Sequence, residues 1–217
     1  MTLTVVVGRN ATTRMDAAAF AELREHYDAT FVDVGTGDGR FVAHLAAEWP
    51  EALVIGIDTA EDNMAEAANK ARRKRGTANA LFVRSAIEAL PQVLHHVADL
   101  VFVQLPWGRL LEGIVLGDAA VVGGIAALCR PGARVEVNLN NEIWLDSTPE
   151  RFADLPLPTP EYVDRVIAPA FATAGIDLGP ARMLGAEQAK ALPTTWAKRL
   201  GHSREHPKFV HVEGTAR

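Results

Sequence analysis

Asp33-Val34-Gly35-Thr36-Gly37-Asp38-Gly39 is the stretch from which the fold is read. It closes an apolar β-like run beginning at Phe31 and opens a helix patterned by Val42, Leu45 and Ala46. Glycines at such a junction permit a tight turn and let the backbone approach a bound ligand closely. Downstream, LVIGID at 53–58 has the pattern of a buried strand, a helix is predicted from Glu61 to Arg75, and ALFVRS follows as a third strand. The run ADLVFVQLPWG ends in a Pro-Trp-Gly turn, and VVGGIAALCRPGARVEVNLN reads as helix, Pro-Gly turn and strand. This alternation predicts an α/β, Rossmann-like parallel sheet with helices on both faces, and a ligand site outside the carboxyl ends of the strands.

Two additions flank the alternating part. Residues 1–30 read as a β-hairpin and a helix that Asp16 caps, with Phe20, Leu23 and Tyr27 on one face. After the Pro-rich LPLPTPEY, a helix is expected through Val163 to Ala174, and then ARMLG and KFVHVEGT as C-terminal antiparallel strands. Residues 185–207 form an insertion between those last two strands, carrying a tryptophan and several basic residues that a minimal nucleotide-binding sheet does not require. Length and composition suit one domain over 1–217: 217 residues, 48% hydrophobic and 23% charged. A single cysteine, Cys129, fits a reducing cytoplasm, and no stretch of about 18 apolar residues suggests a membrane span. A cytoplasmic monomer without membrane, DNA or metal partners is expected.

The net charge of −5 argues against a protein that coats nucleic acid through bulk positive potential. Charge is instead segregated. Five of the six residues from Lys70 to Arg75 are basic, and Lys198, Arg199, Arg204 and Lys208 form a second cluster.

The glycine run departs from a dinucleotide fingerprint in two ways. The third glycine would stand one place later, at Arg40, and Asp33 would repel a pyrophosphate. A carboxylate at that strand end suits the cationic amino acid moiety of S-adenosylmethionine (SAM), and Asp58, at the tip of the next strand, is placed either to accept both ribose hydroxyls or to cap the following helix. Ser85-Ala86-Ile87-Glu88 follows the third strand, where a backbone N–H and the Glu88 carboxylate either approach an adenine ring or, for Glu88, face solvent.

The segments DVGTGDG, GID, SAIEALP, LPWGRLL, LCRPG and TTWAKRLGHSR together resemble the aminoglycoside-resistance 16S ribosomal RNA adenine-N1 methyltransferases, the Kam family. The likeness spans nearly the whole chain, and the pairing of PWG-x-LL with the late TTWAKRLGHSR segment is its most specific part. The resemblance implies a class I SAM-dependent methyltransferase acting on adenine 1408 of the decoding site, in the helix 44 region of assembled 30S subunits. It implies further that Asp33, Gly35, Gly37, Asp58, Ala86, Glu88 and Leu105 line the SAM pocket, with Thr194 ordering it. Trp107 and Trp196 would hold the target base, and Lys70, Arg72, Arg73, Lys74, Arg75, Arg199 and Arg204 would grip RNA.

Such a target explains the paired tryptophans. An adenine must leave its stack before N1 is reachable, at a cost of a few kcal/mol, and indole stacking returns about 1–3 kcal/mol per contact. Adenine N1 already bears an in-plane lone pair, so no general base is needed, and catalysis reduces to in-line placement. The carbonyl of Pro106 or Leu105 is a candidate to fix the ring through its exocyclic amine. Trp49 and Trp144 are read as core residues. The competing readings are another class I RNA methyltransferase, of the tRNA guanine-N7 type, a small-molecule methyltransferase, and a noncatalytic SAM-responsive RNA-binding protein.

Overall fold

A computed structural model describes residues 2–74, 76–145, 148–185 and 209–217. The chain opens with the antiparallel hairpin β1 (Thr2–Gly8) and β2 (Ala11–Asp16), then α1 (Ala17–Glu25). Asp16 caps α1 as expected, its carboxylate accepting from the Ala19 N–H at 2.9 Å, and Phe20 is buried. The alternating part follows: β3 (Ala29–Val34), α2 (Arg40–Glu48), β4 (Ala52–Asp58), α3 (Glu61–Ala71), β5 (Ala80–Arg84), β6 (Ala98–Gln104), α4 (Gly108–Val115), α5 (Ala119–Leu128) and β7 (Cys129–Asn140). Next come α6 (Glu142–Leu145), α7 (Pro160–Tyr162), a π-helical turn (Val163–Ile167) and α8 (Ala168–Thr173). The described chain closes with β8 (Ile176–Leu178), β9 (Arg182–Leu184) and β10 (Phe209–Ala216).

The strands form one sheet of order β2-β1-β5-β4-β3-β6-β7-β10-β8, with β9 on β10. Strands β5, β4, β3, β6 and β7 are parallel, whereas β1 pairs antiparallel with β5 and β10 antiparallel with β7, β8 and β9. Chain direction across the sheet reverses between β3 and β6, so a crevice opens above their carboxyl ends, where open α/β sheets bind ligands. Two apolar layers cover the sheet. Phe41, Val42 and Leu45 of α2 and Met64 and Ala68 of α3 pack with Val54, Phe82 and Phe102 on one face. On the other, Leu111 and Ile114 of α4, Val122 and Ile125 of α5 and Phe171 of α8 pack with Val32, Ile55 and Val101. No single described helix is long and apolar enough to cross a membrane; α4 and α5 pass only as a pair bent by 99°, and both lie in this core.

Several elements differ from the sequence reading. Helix α3 stops at Ala71, because the chain turns there, with the Arg73 N–H on the Lys70 carbonyl and the Gly76 N–H on the Arg73 carbonyl. Arg72, Arg73 and Lys74 are therefore exposed on a turn and not on the helix. Pro131-Gly132 is absorbed as an irregularity inside β7, since the register of β6 on β7 shifts between Ala98 and Leu100. Trp144 is a core residue whose indole N–H donates to the Leu155 carbonyl at 2.7 Å. Trp49 is not. It is 49% exposed beside Pro50 at the end of α2, with only an edge-to-face neighbour in Phe31. The strands read as ARMLG and KFVHVEGT do pair antiparallel, and β8 joins them as a strand too short to show periodicity.

Candidate active site

The crevice at the reversal point holds a cleft of about 580 Å³. Its floor is the glycine run. Gly35, Gly37 and Gly39 have φ of +76°, +56° and +72°, a region that a β-carbon disfavours, and a β-carbon on Gly35 would stand 2.5 Å from the Leu110 side chain. The turn is held by backbone bonds, with the Gly35 and Thr36 N–H groups both donating to the Ile57 carbonyl at 2.8 and 3.1 Å.

Asp33 lies at the centre of this floor. It faces Gly56 of β4 and Phe102 of β6 in register and is only 2% exposed. Its Oδ1 is buried without a hydrogen-bond partner, as is the Thr36 hydroxyl. Burial pushes its carboxyl up from 3.8 to about 7; the adjacent Thr36 side chain opposes the rise, though its hydroxyl is not in bonding geometry, and the Asp58 and Asp38 charges add to it. An orphaned, desolvated carboxylate lining a cleft is matched by a cationic group and mismatched by a phosphate.

Asp58 does not cap α3, whose N-cap is Ala60 without a side-chain cap bond. Its Oδ2 accepts from the Gly37 N–H at 2.9 Å and its Oδ1 from the Ala60 N–H at 2.8 Å, tying the glycine turn to the start of α3. Each oxygen keeps a second lone pair, and Asp58 still lines the cleft. Ala86, Glu88 and Leu105 line it as well. Glu88 does not face bulk solvent alone: its Oε1 is 3.5 Å from Nε of Arg109, whose terminal nitrogen donates to Asp118 at 2.7 Å.

At the far rim stands the Leu105-Pro106-Trp107-Gly108 turn. Leu105 has φ of +51° and Gly108 +61°, so two left-handed residues bracket Pro106 and Trp107. Pro106 is buried, while Trp107 lines the cleft at 43% exposure. The indole is braced from beneath by Phe152, edge to face at 4.9 Å and 85°. Arg151 caps the Phe152 ring at 5.0 Å and donates twice to Glu112 at 3.1 and 2.7 Å. Sequence reasoning missed this brace, as it missed Gln104, Asn63 and Arg109, which also line the cleft. Arg151 and Phe152 sit in a short Pro-led 3-10 turn with no periodic signal.

The structure thus brings Asp33, Gly35, Gly37, Asp58, Ala86, Glu88, Leu105 and Trp107 to one cleft. Lys70, Arg72, Arg73 and Lys74 are exposed at the end of α3, with Lys70 paired to Glu66 at 2.5 Å. Arg75, Thr194, Trp196, Arg199 and Arg204 lie outside the described residues.

Residues 4–215 match the family described as NpmA: 16S rRNA (adenine(1408)-N(1))-methyltransferase. The chain belongs to that family. A 16S rRNA (adenine(1408)-N(1))-methyltransferase of Streptoalloteichus tenebrarius is 38% identical over 213 residues, 97% of each protein. A crystal structure of the enzyme of that name from Catenulisporales acidiphilia, a tryptophan-to-alanine variant with cosubstrate SAM, superposes with a TM-score of 0.89 at 36% identity, covering 99% of this chain and 96% of the other. The 16S rRNA methyltransferase KamB gives a TM-score of 0.88 at 36% identity, covering 100% and 99%. Membership makes the chain a SAM-dependent class I methyltransferase, in agreement with the motif reading. The orphaned Asp33 carboxylate and the glycine cradle fit that cosubstrate.

Proposed function

We propose that this enzyme transfers the methyl group of SAM to N1 of adenine 1408 in 16S rRNA, within the 30S subunit in the cytoplasm, and so confers aminoglycoside resistance. The observation that carries the reading is that one cleft is lined both by the buried Asp33, whose Oδ1 has no hydrogen-bond partner, and by the half-exposed Trp107. SAM supplies an electrophilic methyl on a sulfonium cation. Asp33 takes its ammonium group, Asp58 its ribose hydroxyls, and Ala86 and Glu88 its adenine. Gly35, Gly37 and Leu105 shape the pocket, and Thr194 orders it.

On the substrate side, Trp107 and Trp196 stack on the extruded adenine, and the carbonyl of Pro106 or Leu105 accepts from its exocyclic amine. The base attacks with its own lone pair, so the chain needs no proton acceptor there. Its tasks are to hold the ring, exclude water and align N1 with the methyl. Lys70, Arg72, Arg73, Lys74, Arg75, Arg199 and Arg204 meet phosphates of the helix 44 region, and one monomer docks per subunit.

Incubation with tritiated SAM tests the reading. Label should enter 16S rRNA in purified 30S subunits and not transfer RNA. Label in transfer RNA alone, or SAM binding with no transfer to either, would reject it.

A further inference from the structure

The carboxyl halves of β6 and β7, and the amino half of β10 that runs antiparallel beside them, differ between their two faces. One face is apolar, with Val135, Val137, Leu139, Val210 and Val212 all buried. On the other, Gln104, Glu136, Asn138 and His211 form one hydrogen-bonded chain. Asn138 Nδ2 donates to Gln104 Oε1 at 2.7 Å and to Glu136 Oε1 at 2.9 Å, and Gln104 Nε2 donates to the same Glu136 oxygen at 3.0 Å. An ionised Glu136 only accepts, so it fixes the direction of both amides. That leaves Asn138 Oδ1 to accept from His211 Nδ1 at 2.9 Å, while His211 Nε2 lies 3.2 Å from Glu213 Oε1. Asn138 is fully buried, and Gln104 and His211 nearly so.

Stability does not account for this arrangement, because apolar side chains of similar volume fill a buried site as well or better. Its position does. Gln104 ends β6 and lines the cleft, and the next residue is the left-handed, buried Leu105, whose N–H donates to the Asn138 carbonyl at 2.9 Å. Asn138 therefore grips the turn twice, by its carbonyl at Leu105 and by its amide at Gln104. Through His211, its register partner, it also grips β10, the strand that begins where the 186–208 stretch containing Trp196 ends.

We propose that Gln104, Asn138 and His211 are positioning residues for the target base, forming a relay that locks the Leu105-Pro106-Trp107 turn and couples it to β10. The proposal rests on the methyl-transfer reading above. In-line transfer is sensitive to displacements of about 1 Å, so a turn free to rotate would misplace Pro106 and Trp107 without touching the cofactor floor.

Three variants test it: Gln104→Met and His211→Phe at the two ends, and Asn138→Leu at the hub, with His211→Gln as the conservative control that keeps a donor toward Asn138. Amide hydrogen exchange in the protein without RNA reads the turn directly. Leu105 should exchange at least tenfold faster in the three variants, while Val101 and Val103 stay protected, and His211→Gln should restore slow exchange. Single-turnover transfer at saturating SAM and saturating 30S subunits should fall at least tenfold, with subunit affinity within about twofold of wild type. Unchanged Leu105 exchange overturns the relay, and so does faster exchange with undiminished transfer. If wild type itself leaves 30S subunits unmethylated, the functional reading fails instead, and the exchange measurement still decides whether the relay holds the turn. Should Asn138→Leu not fold, the two end variants decide alone.

Discussion

At the glycine-turn end of the cleft, Asp33, Gly35, Gly37 and Asp58 come from one βαβ unit, and backbone bonds from Gly35, Thr36, Gly37 and Ala60 fix them. At the Trp107 end, the indole is set by Phe152 and Arg151, and its turn by Asn138, all distant in sequence, with Glu112 of the adjoining α4 holding Arg151. The first end is a rigid backbone cradle around an unsatisfied charge. The second is an exposed indole braced by side chains. Electrostatics should therefore govern the one and stacking the other, and substitutions at each end should leave the other's ligand untouched.

The largest effect is expected at Asp33. Asp33→Asn removes a charge-assisted pairing of about 2–3 kcal/mol, so calorimetry should show SAM affinity falling on the order of 100-fold. The same change removes a buried carboxylate that the ligand-free fold must desolvate, so the melting temperature without SAM should rise. A loss of both affinity and stability would make Asp33 a structural residue. At the other end, Trp107→Ala or Trp196→Ala should slow methyl transfer about 10- to 100-fold, the equivalent of one stacking contact, with SAM affinity and melting temperature near wild type. Phenylalanine should recover part of the rate. If Trp107 were a core residue, alanine would instead cost about 3–5 kcal/mol of stability.

A change of one pH unit should matter by up to tenfold. The Asp33 pKa in the ligand-free fold is raised from 3.8 to about 7, so the stability its protonation contributes is fully present below 3.8 and is lost as pH rises through 7. A cationic ligand prefers the ionised form. SAM affinity should hence drop about tenfold per unit below pH 7, and fall again once the ligand's own amino group deprotonates above about 7.7–8.0. Titration calorimetry across pH 5.5–8.5 on wild type and Asp33→Asn checks this, since the variant should lose the acid limb. The smallest effect is expected on the basic turn. Replacing Arg72, Arg73 or Lys74 singly by glutamine should weaken 30S binding several-fold and lower the salt slope by about 0.7–0.9 each. An unchanged slope would leave the run a solvated face.

The same contrast explains what was legible in the sequence. The Asp33–Gly39 turn and Asp58 declare themselves because strand, glycines and carboxylates follow one another along the chain, and the β3-to-β7 alternation follows from apolar periodicity. Trp107 was legible from its Pro-Trp-Gly turn. Phe152 and Arg151 were not, because only the tertiary fold carries a short turn after Pro149 beneath Trp107. Asn138 and His211 were hidden for another reason. Each lies inside an apolar strand pattern whose alternate positions face opposite layers, and cross-strand register, not local sequence, sets them beside Gln104. Helix α3 is four residues shorter than the sequence predicts because periodicity does not register the tight turn at Gly76, where a β-carbon would clash with the Ala71 carbonyl oxygen.

Primer extension on 16S rRNA tests the central claim most directly, because a methyl on N1 blocks base pairing and stops reverse transcription. Subunits treated with wild-type enzyme and SAM should give one new stop next to adenine 1408, weakened with Trp107→Ala and restored in part with Trp107→Phe. Full-length extension through that position, or an equally strong stop with Trp107→Ala, would contradict the account.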